Sequence, residues 1–246
     1  MFDYQAPEQL LANRIILVTG AGDGIGRAAA KACAAHGATV VLLGRTLEKL
    51  ETLYDEIEAA GYPQPAIVPL NLESATEHDY LELANKLEQE FGRLDGLLNN
   101  ASLLGVRTPI ESYDPVIWNQ VMQVNVTAPF MLTQTLLPLL QASEDASVVF
   151  TSSGVGRKGR AYWGAYSVSK FATEGMMEVL ADEMDNTSNI RVNCINPGAT
   201  RTQMRATAYP GEPPHNNPAP EDIMPLYLYL MGPDSQGINS QSLDAQ

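Results

Sequence analysis

Short apolar runs alternate along the chain with longer stretches whose apolar residues recur at helical spacing. Residues 15–19 form an apolar, β-branched run, and residues 39–43, 66–70, 94–98, 147–150 and 190–195 repeat the pattern. Between the first of these lie an Ala-rich stretch at 27–36 and amphipathic stretches at 47–60 and about 74–91. Each is followed by a glycine: Gly37, Gly61 and Gly92. Glycine just past a helix closes its last turn in a left-handed conformation, so the spacing predicts three helices ending there. A long helical stretch fills the interval before residue 147. Short buried strands alternating with helices indicate repeated βαβ units, an α/β fold and a mainly parallel sheet. Right-handed crossovers place helices on both faces of such a sheet, and ligands bind beyond the carboxyl ends of its strands.

After Pro197 the pattern weakens. Residues 201–222 are rich in Pro, Met, Asn and Tyr and read as a mobile segment on the substrate side, or as an ordinary surface loop. A short helix at 223–230 and a last strand at 241–243 are expected beyond it. No linker divides the chain, so residues 1–246 are expected to form one domain, with residues 1–13 as an N-terminal extension.

Composition narrows the function. The chain carries a formal net charge of -14, which removes any electrostatic reason to bind nucleic acid or an anionic membrane surface. Residues 1–13 include Asp3 and Glu8 and lack the basic and apolar regions of a signal peptide. No window approaches the roughly 18 apolar residues of a membrane span. The cytoplasm is the expected location. Cys33 and Cys194 fall in helix and strand patterns and read as buried thiols. The histidines, His36, His78 and His215, are scattered, so no metal site is expected.

Three constellations carry chemistry. The first is Thr19-Gly20-Ala21-Gly22-Asp23-Gly24-Ile25-Gly26, which joins the first strand to the first helix. Glycines there let the backbone approach a pyrophosphate, whose charge meets the amides of a helix N-terminus. Ile25 breaks the G-x-G-x-x-G spacing, whereas Gly20, Gly24 and Gly26 fit G-x-x-x-G-x-G. The second lies after the second strand, at Leu43-Gly44-Arg45. A carboxylate there would bind the ribose hydroxyls of NAD, while an arginine accommodates the 2′-phosphate of NADP. Arg45 therefore favours NADP(H) over NAD(H), although it also suits a solvated helix start, and Asp23 adds a negative charge that cuts the other way. The third is Tyr166-Ser167-Val168-Ser169-Lys170, which puts a phenol and an ammonium on one helix face. A nearby cation favours the phenolate and brings the phenol into acid–base range. Ser153 stands just past the fifth strand, and Asn125 lies in the long helical stretch.

Taken together these residues resemble the short-chain dehydrogenase/reductase family, over about residues 14–243. The markers are Gly20 to Gly26, Asn99-Asn100-Ala101, Asn125, Ser153, Tyr166, Lys170, Pro197-Gly198 and Thr202, in family order and spacing. Gly44-Arg45 together with Phe171-Ala172-Thr173-Glu174-Gly175 is similar to an uncharacterised bacterial subgroup often described as 3-oxoacyl reductases. The resemblance implies a Rossmann-type, doubly wound, seven-stranded parallel sheet in the order 3-2-1-4-5-6-7. It implies hydride transfer between a nicotinamide and a carbonyl or secondary alcohol. Tyr166 is then the acid/base, Lys170 lowers its pKa and holds the nicotinamide ribose, Ser153 orients the substrate carbonyl, and Asn125 holds a water. Gly20, Gly22, Asp23, Gly24, Ile25, Gly26, Arg45, Asn71, Leu72, Asn99 and Ala101 are implied cofactor contacts. Tyr166, Lys170, Pro197, Gly198, Thr200 and Thr202 complete that set. A homodimer or homotetramer through helices near 114–140 and 165–185 is also implied.

Three positions depart from the family pattern: Gly22 stands where Ser is frequent, Asn71 where Asp is usual, and Ser102 in place of a glycine. A rival reading is a catalytically silent dinucleotide-binding protein that senses redox state, though such a binder has no need of the catalytic four. The substrate is open. Arg157-Lys158-Gly159-Arg160 forms a basic spot suited to a carboxylate, a phosphate or an acidic carrier protein, which admits a 3-oxoacyl thioester; it reads more readily as a solvated turn.

Overall fold

The computed structural model describes residues 1–246. Seven strands form one sheet: β1 (Ile15–Thr19), β2 (Thr39–Gly44), β3 (Ala66–Pro69), β4 (Gly96–Asn99), β5 (Ala146–Thr151), β6 (Ile190–Asn196) and β7 (Ser242–Asp244). Their order is 3-2-1-4-5-6-7 and every pairing is parallel, as the resemblance implies. The helices are α1 (Gly24–Ala35), α2 (Leu47–Ala59), α3 (Glu77–Phe91), α4 (Pro115–Met122), α5 (Ala128–Gln141), α6 (Gly154–Arg157), α7 (Gly164–Met184), α8 (Gln203–Ala208) and α9 (Met224–Met231).

Alternation along the strands splits the core into two. Ile16, Val18, Val40 and Leu42 face α1, α2 and α9, while Ile15, Leu17, Val41 and Leu43 face α3, α5 and α7. Burying each of these side chains contributes about 1.5–3 kcal/mol. That is why strands buried on both faces read as unbroken apolar runs. Both cysteines are free and buried. No helix is long and apolar enough to cross a membrane.

Several boundaries differ from the sequence expectation for local reasons. Helix α3 begins at Glu77 rather than near residue 74, because the Asp79 carboxylate accepts the Thr76 N–H at 2.7 Å and fixes the first turn. The long helical stretch is two helices joined by a π turn at Gln123–Thr127, where the Ala128 N–H reaches the Gln123 carbonyl. Residues 1–13 are packed: Leu10 and Leu11 are buried, and Phe2 and Tyr4 contact Tyr229. Residues 201–222 contain α8 and are tied internally. Arg205 pairs with Glu212 at 2.6 and 2.7 Å, and Asn217 donates to the same carboxylate at 2.8 Å.

The two edges of the sheet are built differently. At the amino edge Arg14 and Arg191 both pair with Asp145, while Asp95 accepts from Ile15 N at 2.8 Å and Ser143 Oγ at 2.6 Å. Burial pushes the Asp145 carboxyl up, yet the bonds from Arg191 and Arg14 hold it below the usual range. That edge is a structural clamp. The carboxyl edge opens into a cleft.

Helix α1 meets β1 through Gly26. A Cβ there would lie 2.3 Å from the Gly20 carbonyl oxygen and 2.6 Å from Asn100 Nδ2, so the two backbones are in contact. Gly26→Ala is expected to destabilise the fold by about 1–3 kcal/mol through overpacking. Chemical denaturation checks it, and an unchanged midpoint would refute the contact.

Candidate active site

A cleft of about 480 Å³ runs along the carboxyl edge, across the place between β1 and β4 where the strand order reverses. Gly20, with φ +69°, starts the turn that leads onto the α1 N-terminus, and Gly22, Asp23, Gly24 and Ile25 continue the cleft wall. Gly26 is not on the wall; its part is the close packing behind it. Thr19 locks this turn to the next strand. Its hydroxyl accepts from the backbone N–H groups of Asn100 and Ala101, both at 2.9 Å, and donates to the Leu98 carbonyl at 3.2 Å.

One end of the cleft is cationic. Arg45, the first residue past β2, is exposed and makes no hydrogen bond or ion pair within the protein. Asp23 does not act against it, because Lys49 of α2 pairs with its carboxylate and holds that group below the usual range. Sequence reading missed Lys49. The available signal is its position four residues after Arg45, in the first turn of α2. Asn71 and Leu72 follow β3 on the cleft wall; Asn71 Oδ1 accepts the Glu73 N–H at 3.2 Å. Ala101 lines the cleft, whereas Asn99 is buried behind it and donates to Thr133 Oγ1 at 3.1 Å. Asn100 takes its neighbour's place on the wall.

The other end holds the residues expected to form the acid–base set. Ser153 caps α6, and Tyr166 and Lys170 project from α7 into the cleft. Lys170 Nζ donates to the Thr151 carbonyl at 2.7 Å and sits 5.5 Å from the Tyr166 ring centroid. Burial pushes the Tyr166 phenol up to about 12, against a smaller opposing pull from the Ser153 hydroxyl. Burial likewise lowers Lys170 to about 8, with Cys194 and Glu174 pulling the other way. The lowering expected of Lys170 on the phenol does not arise in this arrangement: the ammonium is itself desolvated and directed at the Thr151 carbonyl. Asn125 is buried off the cleft. Its amide accepts from Leu103 N at 2.7 Å and donates to Leu103 O at 2.9 Å and Ser169 Oγ at 3.0 Å, so the side chain is spent on the loop after β4.

Pro197, Gly198, Thr200 and Thr202 lie on the wall between these ends. Thr202 caps α8 by accepting the Arg205 N–H at 3.1 Å, and Thr200 Oγ1 donates to the Pro197 carbonyl at 3.1 Å. Beyond Tyr166 the surface is apolar, formed by Leu104, Val155, Trp163, Met204 and Ala208. Arg107, unremarked in the sequence, stacks on Trp163 and Tyr209 at 5.0 and 4.8 Å. The basic spot at 157–160 is largely committed. Arg157 pairs with Asp244 at 2.6 Å and Arg160 donates to Tyr209 Oη at 3.1 Å.

The fit to a dinucleotide rests on this donor set. The cleft has a glycine turn at a helix N-terminus, a free guanidinium at one end and a buried phenol with an ammonium at the other. A doubly wound sheet with that cleft defines a nucleotide-dependent oxidoreductase. The chain belongs to the short chain dehydrogenases, whose family model matches residues 14–213. It is 55% identical over 243 residues to YciK, an uncharacterized oxidoreductase of Escherichia coli K12, covering 99% of this chain and 96% of that protein. A Pseudomonas syringae structure assigned to the short chain dehydrogenases superposes with a TM-score of 0.99 at 66% identity, covering both chains completely. An E. coli CFT073 structure with the same assignment, solved in complex with NADPH, gives a TM-score of 0.95 at 56% identity, covering 98% of this chain and 99% of that one.

Lowering Lys170 to about 8 is a stability statement. The folded state binds the proton less tightly than the unfolded state, so the buried charge costs about 3 kcal/mol at pH 7. The cost fades as pH rises from about 8 to the unfolded value near 10.5. Lys170→Met is therefore expected to be more stable than the parent at pH 7, by about 1–3 kcal/mol after the Thr151 carbonyl loses its donor. The advantage should shrink above pH 8. Denaturation at several pH values tests this; a destabilised variant at pH 7 would contradict it.

Proposed function

We propose that this protein is an NADP(H)-dependent oxidoreductase that interconverts a carbonyl and a secondary alcohol with Tyr166 as acid/base. The observation that carries the reading is the meeting of Ser153, Tyr166 and Lys170 on the cleft that ends at the unpaired Arg45. The bound nicotinamide supplies or accepts the hydride. Tyr166, neutral below about 12, gives its proton to the carbonyl oxygen during reduction. Lys170, cationic below about 8, stabilises the phenolate left behind and holds the nicotinamide ribose. Ser153 donates to the same carbonyl oxygen and orients it. Asn125 supports the set by fixing the loop after β4.

Toward the cofactor, Gly20, Gly22, Gly24 and Ile25 bring backbone to the pyrophosphate, and Arg45 meets the 2′-phosphate. Asn71 and Leu72 flank the adenine, Ala101 lies along the ribose, and Pro197 to Thr202 face the carboxamide. Gly26 and Asn99 support that surface from behind. A silent redox-sensing role has no observation in its favour.

For the substrate, the apolar wall at Leu104, Val155, Trp163 and Met204 suits a carbonyl on a hydrophobic arm. A 3-oxoacyl thioester fits that wall, but Arg157 and Arg160 are occupied and leave Lys158 as the free cation for an acidic carrier. Copies of the chain associate, on this reading, through α5 and α7, which expose Phe130, Val168, Phe171 and Val179.

Calorimetric titration should give tighter binding of NADPH than of NADH, with Arg45→Ala weakening NADPH at least about tenfold, or about 1.4 kcal/mol. Equal affinities would remove the role of Arg45. Tyr166→Phe should keep NADPH affinity and lose turnover across a panel of carbonyl compounds. Retained turnover would end the acid/base assignment.

A further inference from the structure

Lys170 is buried in the cleft wall with one direct protein partner, the neutral Thr151 carbonyl. A desolvated ammonium is stabilised by negative charge nearby, and the elements packed around it offer little. Tyr166 on its own helix is a phenol, and Cys194 on β6 is a thiol that burial pushes well above its ordinary value. Arg157 on α6 is a cation, paired to Asp244 of β7. Glu174 is the exception. It lies four residues beyond Lys170 on α7, hence one turn along the same face, and its side chain is 12% exposed.

The bonds of Glu174 reach three other elements. Its Oε1 accepts from Ser152 Oγ at the end of β5 and from Ser242 Oγ of β7 at 2.9 Å, and lies 3.6 Å from Arg157 Nε. Ser152 is the immediate neighbour of Ser153. We propose that Glu174 is a positioning residue of this site: it anchors the Ser152–Ser153 end of β5 and supplies the compensating charge that keeps Lys170 cationic. The proposal builds on Lys170 as the cation of the reacting site.

Its test needs no substrate. In protein labelled with ¹³C at the lysine ε-carbons, the Lys170 resonance is identified by its loss in Lys170→Met, and its midpoint is read by NMR titration. The parent midpoint is expected near 8. Glu174→Gln keeps an acceptor for both serines and removes the charge, so the midpoint should fall by roughly half a pH unit or more. Glu174→Asp should hold it near the parent. An unmoved midpoint in Glu174→Gln overturns the proposal. If that variant does not fold, Arg157→Gln reads the network from outside: freeing Glu174 of its competing cation should raise the midpoint, and no movement again overturns it. None of these outcomes bears on the acid/base reading, which stands or falls on the turnover of Tyr166→Phe.

Discussion

Burying the Lys170 ammonium imposes the constraint around which the Tyr166 end of the cleft is arranged. An ammonium taken out of water keeps its charge only where dipoles and counter-charges face it. The Thr151 carbonyl meets it at the end of β5, while the N–H of the same peptide, on Ser152, still donates to the Ile195 carbonyl of β6 at 2.7 Å. Helix α6 then has to pass close by. A Cβ on Gly156 would lie 2.7 Å from Lys170 Cβ and 2.8 and 2.9 Å from its main-chain carbon and oxygen, so α6 lies on α7 in near backbone contact. Ser153, as the cap of α6, is carried by that contact to the side of Tyr166. The relative positions of hydroxyl, phenol and ammonium thus follow from one close approach between two helices.

A second close approach governs the cofactor end. Gly26 brings α1 onto β1, and the Thr19 hydroxyl ties the end of β1 to the turn after β4. Both contacts straddle the gap where crossovers leave in opposite directions, which is where a parallel sheet has room for a ligand. The opposite edge has no such room. Its Arg14, Arg191, Asp95 and Asp145 cluster closes the strand ends on one another. Charge at that edge secures the fold, while charge at the cleft is left free for ligands.

Features written in local pattern were legible in the sequence. Strands buried on both faces produce runs such as Ile15–Thr19, and glycines after helices mark their ends, so element order and the cleft's location could be read. The glycine turn, Tyr166 with Lys170, and Ser153 were legible because each depends on neighbours within a turn or at a strand end. Lys49, Glu174 and Gly156 were not, since their meaning depends on partners 26, 22 and 14 residues away or more. Arg157 looked free for the same reason: its partners lie on β7, at the far end of the chain. The resemblance implied that Asn125 holds a water, and only the loop at Leu103 shows where its amide goes. Helix α8 escaped notice because it is short and its hold is a cap and an ion pair, neither of which leaves an apolar period.

A chain with a net charge of -14 has to attract an anionic dinucleotide by local means. Screening confines exposed charges to within about 8 Å at physiological salt, so the global charge matters less than what lines the cleft. There the Asp23 carboxylate is cancelled by Lys49, Arg45 is uncommitted, and the α1 N-terminus presents its amides. The arrangement also explains how Asp23 is tolerated in a phosphate-binding turn. With Lys49 in place it caps no anion site of its own, and its charge reaches the ligand only as a screened dipole. Without Lys49, the same carboxylate would leave an uncompensated negative charge on the cleft wall that opposes any phosphate bound there. On the proposed reading, cofactor choice in this cleft turns on a balance among Arg45 after β2, Lys49 of α2 and Asp23 of the glycine turn, with Arg45 as its visible part.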